Sequence, residues 1–230
     1  GKEGNLERVL TKGCWTPVER VGIADGWQAD ILADGGAAIH FMGEVQGTLY
    51  WELLGEHNRM NALAALAAAR HAGVPVSIAI AALMQFKNVK RRMEVRGEIN
   101  GITVYDDFAH HPTAIRTTLE GLRNTGGARI IAVLEPRSNT MKMGIWKDSL
   151  ADSLAVADLV FCYTANLGWN AKETLSGMGS RAASHDNLEQ LIAAIVAAVR
   201  PGDRVLIMSN GGFGGIHEKL LKAIGETTTN

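Results

Sequence analysis

From residue 102 onward the sequence alternates short apolar, β-leaning runs with longer stretches of helical period, and that alternation leaves few folds open. Ile130 to Leu134, Leu159 to Tyr163 and Val205 to Met208 read as strands, while Trp146 to Val156, Asn187 to Val199 and Ile216 to Ile224 read as helices. Strand and helix taking turns imply the α/β class: a doubly wound, Rossmann-like, mostly parallel sheet with right-handed crossovers. In such a sheet ligands bind beyond the carboxyl ends of the strands.

The first strand-to-helix unit, ITVYDDFAHHPTAIRTTLEGL from Ile102 to Leu122, carries the densest chemistry. Ile102, Val104 and Tyr105 open it as a strand. Pro112 fixes φ at a first helical position and so puts His111 at the N-cap. Ile115, Leu119 and Leu122 then recur at i, i+4 and i+7 and give the helix one face to bury. Between the two elements sit Asp106, Asp107, Phe108, His110 and His111. Three readings of this corner stand side by side. Asp and His are ordinary caps and turn formers. Four potential ligands in six residues could hold a metal, although the spacing matches neither a zinc finger nor HExxH. A nucleotide pocket is the third: the helix amino end favours phosphate, Phe108 offers a stacking face, and Asp107 an acceptor for ribose hydroxyls.

Topology brings two further loops to the same edge, EPRSNTMKMG after the 130–134 strand and SNGGFGG after the 205–208 strand. The second fails GxGxxG, so it is either a place for close backbone approach or a tight turn. Arg137 in the first is either a fork for a substrate carboxylate or half of a surface ion pair.

Composition excludes several classes. With a formal net charge of -1 over 230 residues, nothing marks a polyanion partner, and the basic run Lys87, Lys90, Arg91, Arg92, Arg96 reads as a solvated linker rather than a nucleic-acid contact. Cys14 and Cys162 lie far apart and form no disulfide framework, which suits a reducing compartment. No run of 18 apolar residues is present to span a bilayer, and GKEGNLERVL lacks the apolar core of a signal peptide. A cytoplasmic protein without membrane or nucleic-acid partners is expected.

The first part of the chain has a different texture. Asn5 precedes a possible capped helix with Leu6, Val9 and Leu10, stopped by Gly13. Strand-like runs at 28–32, 37–42 and 45–54 are broken by Asp34-Gly35-Gly36, which reads as a hairpin, and by Gly43-Glu44. Trp15, Trp27 and Trp51 read as core or interface anchors. GEHNRMNALAALAAARHAG is a long alanine-rich helix ended by Gly73. Its core face does not explain Asn58 and Asn61, poor helix formers at i, i+3; one is a possible N-cap, and the pair could present amides to an adenine edge. A second helix runs from Pro75 to Phe86, and a hairpin is expected around Asn100-Gly101. The expected division is residues 1–90 and 91–230.

GEHNRMNALAA, the RRME after the second helix, and DDFAHHPTAI resemble, in order and spacing, the second half of the central ATPase domain and the whole C-terminal domain of the Mur ligase family, the ATP-dependent amide ligases of peptidoglycan synthesis. The resemblance covers essentially the whole chain. DDFAHHPT is most similar to the branch that acts directly on UDP-N-acetylmuramate. EPRSNTMKMG and MSNGGFGGIHEKLL resemble that branch's murein-recycling, tripeptide-taking members more than its L-alanine-adding ones.

The resemblance implies roles for particular residues. Asn58 and Asn61 would meet adenine, Arg92 would reach the nucleotide, Asp107 would hold the ribose, and Phe108 would lie against adenine where the L-alanine-adding relatives have Tyr. His110 would face the reacting phosphates as the catalytic residue. Arg137, Ser138, Asn139 and Thr140 would line the incoming peptide's site. It implies ATP and Mg2+ as cofactors, with no protein-built metal site, and UDP-N-acetylmuramate and L-Ala-γ-D-Glu-meso-diaminopimelate as substrates. The chemistry implied is an acyl phosphate followed by amide formation. No GxxxxGK[ST] phosphate loop occurs in the sequence, and the family's UDP-binding N-terminal domain is also missing. The chain is therefore expected to be part of a longer ligase and inactive alone. The alternatives are a part of the L-alanine-adding ligase, or a non-catalytic nucleotide- or peptide-binding module.

Overall fold

The computed structural model describes residues 4–51, 53 and 55–227, which divide into two units, Gly1–Lys87 and Asn88–Asn230, each with its own sheet. In the first, a short helix α1 (Gly4–Leu10) buries none of its residues and leaves Leu6 and Val9 exposed. Strands β1 (Trp27–Ile31), β2 (Ala37–Phe41) and β3 (Glu44–Leu49) form an antiparallel meander. The Asp34 carboxylate shapes its first turn, accepting from the Gly36 amide at 3.0 Å and the Tyr50 hydroxyl at 2.8 Å. Met42 and Gly43, with φ of 51° and 82°, make the second turn in the left-handed pair that matches strand twist.

Helices α2 (Glu56–His71) and α3 (Val76–Met84) supply the rest of this core. Small side chains along α2 let it sit close, and Ala62, Leu63 and Leu66 meet Ala79 and Ile80 of α3 over Trp27, Ile39 and Leu49. Trp27 is fully buried, and its indole donates to Glu19 at 2.8 Å. Trp51 packs at the core margin, edge-on to Phe86. Trp15 does not share in the core: it is 98% exposed, because nothing around it in the sequence forms an element to cover it. Glu52 and Leu54, the end of the 45–54 run, lie outside the described residues.

The second unit opens with a hairpin, β4 (Glu94–Ile99) and β5 (Ile102–Asp107), turned at Asn100 and Gly101 with φ of 53° and 72°. There follow α4 (Pro112–Arg123), β6 (Ile130–Leu134), α5 (Asn139–Lys142), α6 (Lys147–Ser153), β7 (Leu159–Tyr163), α7 (Ala171–Thr174), β8 (Ala182–His185), α8 (Leu188–Ala198), β9 (Arg204–Met208) and α9 (Ile216–Glu226). The sheet order is β4-β5-β9-β6-β7-β8. Only the β4–β5 pair is antiparallel, so the doubly wound, mostly parallel sheet is present as the alternation requires.

Strand alternation sorts the core into two layers. Ile130, Ala132, Leu134, Leu206 and Met208 face Ile115, Leu119, Leu122, Leu150 and Leu154 of the α4–α6 layer. Ile131, Val133, Val205 and Ile207 face Leu191, Ile195, Leu220 and Ile224 of the α8–α9 layer. One strand departs from the sequence pattern. Ala182 to His185 has no β-branched residue to announce it, and it is a strand because its backbone pairs with Val160 to Tyr163. The helix expected over 146–156 is shorter, with Trp146 and Leu154 as its end caps.

Cys162 lies inside β7, where burial pushes its thiol up to about 12, whereas Cys14 is exposed. A thiol reagent at neutral pH should therefore label the native chain once, at Cys14, and a second time only on unfolding. Rapid labelling at both sites would place β7 outside the core.

Candidate functional site

Parallel pairing sets three loops abreast. The ladders align Asp107 with Met208 and Met208 with Leu134, so the segments leaving β5, β9 and β6 start side by side. The Ser209 amide donates to the Asp107 carbonyl at 3.1 Å and the Glu135 amide to the Met208 carbonyl at 3.0 Å. The Ser209 hydroxyl donates to the Glu135 carboxylate and accepts from the Gly211 amide at 2.9 Å. The DDFAHHPT, EPRSNT and SNGG segments thus share one edge, as the topology demands.

At the β5 corner the two carboxylates turn to opposite faces. Asp107 is 2% exposed; its Oδ1 accepts from the Ala109 amide at 2.8 Å and its Oδ2 from the Met93 amide at 2.9 Å. Burial pushes this carboxyl above the ordinary carboxylate value, against the pull of those two amides. Asp107 therefore stands behind the corner and ties the β4 entry to the start of α4. Asp106, 3% exposed, faces cations instead: Arg91 Nε at 3.4 Å, Arg96 Nη1 at 3.9 Å, and His217 Nε2 of α9 at 3.3 Å but off the line of a hydrogen bond. Burial holds the His217 imidazole below its ordinary value, with Asp106 pulling the other way.

Phe108 forms the accessible part of the corner. The Arg91 and Arg92 guanidinium carbons lie 5.3 and 5.9 Å from its ring centroid, and the His110 ring meets it edge-on at 5.2 Å. His110 Nδ1 is 2.9 Å from the Phe108 carbonyl, and a carbonyl only accepts, so Nδ1 carries the proton and Nε2 keeps its capacity for another partner. His111 serves the helix: it is the N-cap of α4, its Nδ1 accepting from the Thr113 amide at 3.2 Å, and its ring sits edge-on to Trp146. Among the described residues no group of three or more His, Cys, Asp or Glu is gathered to hold a metal ion, so the corner's acids and imidazoles do not converge on one point.

Arg137 is exposed and makes no ion pair among the described residues. Its guanidinium lies across the backbone of Gly211, where a Cβ would overlap it. The glycine loop is thus a seat for a side chain as well as a turn. Ser138 caps α5 by accepting from the Met141 amide at 3.3 Å, and Asn139 and Thr140 follow it, exposed, in the first turn. Asn58 and Asn61 lie in the first turns of α2, within the other unit, Asn58 half-buried and Asn61 exposed. Sequence reasoning missed Arg91, Glu135, Ser209 and His217. Each earns its place through partners distant along the chain, for which local pattern carries no signal.

The second unit is a doubly wound α/β domain of the kind that gathers its chemistry at the strand carboxyl ends. The domain family described as "Mur ligase, glutamate ligase domain" matches residues 91–211, and the chain belongs to the Mur ligase family. Over 225 residues it is 50% identical to the UDP-N-acetylmuramate–L-alanyl-gamma-D-glutamyl-meso-2,6-diaminoheptandioate ligase of Escherichia coli (strain K12), covering 96% of this chain and 49% of that protein. The ligase of the same name from Haemophilus influenzae is 46% identical over 224 residues, covering 95% and 49%. Among solved structures, the murein peptide ligase of Psychrobacter arcticus superposes with a TM-score of 0.72 at 42% identity, over 96% of this chain and 49% of that one. The UDP-N-acetylmuramate–alanine ligase of Thermotoga maritima shares the fold, with a TM-score of 0.71 at 22% identity over 87% and 46%. The chain spans about half the length of the curated relatives it matches.

Gly211→Ala tests the seat. The added methyl should displace the flexible Arg137 side chain while changing unfolding free energy by less than about 1 kcal/mol. An Arg137 Nε–H resonance that stays in place in the folded variant would show that the two residues are not in contact.

Proposed function

We propose that this chain supplies the nucleotide-facing and acceptor-facing residues of an ATP-dependent amide ligase that joins UDP-N-acetylmuramate to L-Ala-γ-D-Glu-meso-diaminopimelate in peptidoglycan recycling. The observation that carries this reading is that an aromatic face with Arg92 beside it and a guanidinium that makes no ion pair among the described residues stand at one sheet edge, after β5 and beside the β9 loop. Phe108 gives adenine a π-face, and Arg92 brings positive charge for the phosphates. His110 turns Nε2 to the reacting phosphate region. Asp107, buried with an amide on each oxygen, holds the corner that presents Phe108 and His110 and leaves no exposed oxygen for the ribose. Asn58 and Asn61, in the first unit, carry amides of the kind that address a purine edge. On the acceptor side Arg137 forks a peptide carboxylate, and Ser138, Asn139 and Thr140 line its approach.

The reaction runs in two displacements. The lactyl carboxylate oxygen attacks the γ-phosphorus and the bond to the ADP oxygen breaks, leaving an acyl phosphate. The peptide amine then attacks the acyl carbon, inorganic phosphate departs, and the nitrogen loses a proton as the amide forms. Phosphoryl transfer of this kind depends on positioning and charge neutralisation, which Arg92, His110 and the amino end of α4 supply from this chain. Mg2+ would neutralise phosphate charge when bound with ATP. The sequence has no GxxxxGK[ST] loop to cradle the β- and γ-phosphates. We read the reaction as cytoplasmic because it consumes ATP; no described helix is long and apolar enough to cross a membrane.

In a ligase carrying this chain, ATP-dependent coupling to UDP-N-acetylmuramate should proceed with the tripeptide and not with L-alanine. Preference for L-alanine would move the chain to the alanine-adding branch. Phe108→Ala should raise the KM for ATP about tenfold with the acceptor KM unchanged, one base–aromatic stack being worth about 1–3 kcal/mol. The 230-residue chain by itself should give no product from ATP, UDP-N-acetylmuramate and tripeptide, and clear turnover would overturn this division of the machinery.

A further inference from the structure

Arg91 is given no contact with nucleotide or acceptor in the reaction described above; its guanidinium carbon lies 5.3 Å from the Phe108 ring centroid, and the residue is fastened to three separate segments. Its backbone lies in the left-handed region at φ 61°, where a side-chain-bearing residue persists only if its surroundings over-determine it. They do so here. Its amide donates to Glu94 Oε2 at 2.8 Å, and its carbonyl accepts from the Phe108 amide at 2.9 Å. Its side chain crosses to the β9 loop, where Nη2 donates to the carbonyls of Ser209 and, at 2.8 Å, Gly211. Behind it, Nε reaches buried Asp106 at 3.4 Å. One nitrogen holding the carbonyls of residues 209 and 211 fixes the 209–210 and 211–212 peptide planes, which bracket Asn210 and Gly211. That in turn sets the face of Gly211 on which Arg137 lies.

We propose that Arg91, anchored by Asp106, is a positioning residue for the acceptor: it fixes the Ser209–Gly211 loop that seats Arg137, and so governs acceptor binding rather than ATP binding. This rests on the assignment of Arg137 to the acceptor. A guanidinium is required because its fork addresses a carboxylate and two carbonyls at once, whereas an ammonium on a flexible stem holds no such fixed geometry.

Arg91→Gln and Arg91→Lys separate this role from general support of the fold. In the ligase carrying this chain, both variants should raise the acceptor KM about tenfold or more while the KM for ATP stays within about twofold. Amide exchange at Gly211 and Gly212 of the chain should accelerate about tenfold or more, with the β9 amides protected as in the unsubstituted protein. If Arg91→Gln does not fold, Arg91→Lys carries the measurement. Unchanged exchange in the loop, or a rise in KM for ATP instead of acceptor, overturns the proposal. Arg137→Gln distinguishes the two failures: if it raises the acceptor KM and the Arg91 variants do not, Arg91 is not the positioning residue. If Arg137→Gln leaves the acceptor KM unchanged, the acceptor assignment falls and the proposal falls with it.

Discussion

The register of β9 between β5 and β6 is the constraint on which the site depends. Val205 and Ile207 bury toward one helix layer, Leu206 and Met208 toward the other, so a slip of one residue would exchange every one of those side chains between layers. Packing therefore fixes where β9 stops relative to its neighbours. The carbonyl of Asp107, the amide of Ser209 and the amide of Glu135 are neighbours because the apolar residues below them permit one alignment. Core packing thus determines the geometry of polar groups that play no part in the core.

Two adjacent buried carboxylates would repel and pay heavily in solvation if both faced the same way. Alternation along β5 separates them. Asp106 turns to the α9 side and finds Arg91, Arg96 and His217; Asp107 turns to the α4 side and finds two backbone amides, with the Thr118 hydroxyl 3.5 Å away. The first arrangement neutralises charge and the second satisfies it by hydrogen bonding, the two ways in which an ionised group is tolerated inside a protein. Both also bind the corner to its surroundings, so that Phe108 is presented from a rigid base.

Much of the architecture can be read directly from the chain. The runs at 130–134 and 159–163 form strands at those residues because fully buried strands need continuous apolar sequence, and the Asn100-Gly101 turn and the His111 cap follow from local backbone preference. What local pattern does not encode is equally specific. β8 is a strand by pairing alone, and Trp15, large and apolar, stands in solvent. Arg91 lies in a basic run that reads as solvated linker, since the carbonyls that hold it are 118 and 120 positions away. The glycine loop reads equally as turn or ligand rest until Arg137 is seen across Gly211. Asp107 looks like a free acceptor in sequence, and its burial behind the corner is a property of the assembled unit.

Placing β9 at the middle of the sheet has a consequence for how the unit is made. During synthesis β5 and β6 emerge well before the strand that joins them, and until Met208 leaves the ribosome each has an unpaired edge facing where β9 will lie. The β4–β5 hairpin and the β6–β7–β8 portion can form early from local and crossover contacts, but their docking waits for a late, long-range insertion. The nascent unit is therefore most exposed to mispairing just before β9 emerges, and a polypeptide cut short ahead of β9 would hold two half-sheets with adhesive edges rather than one smaller domain.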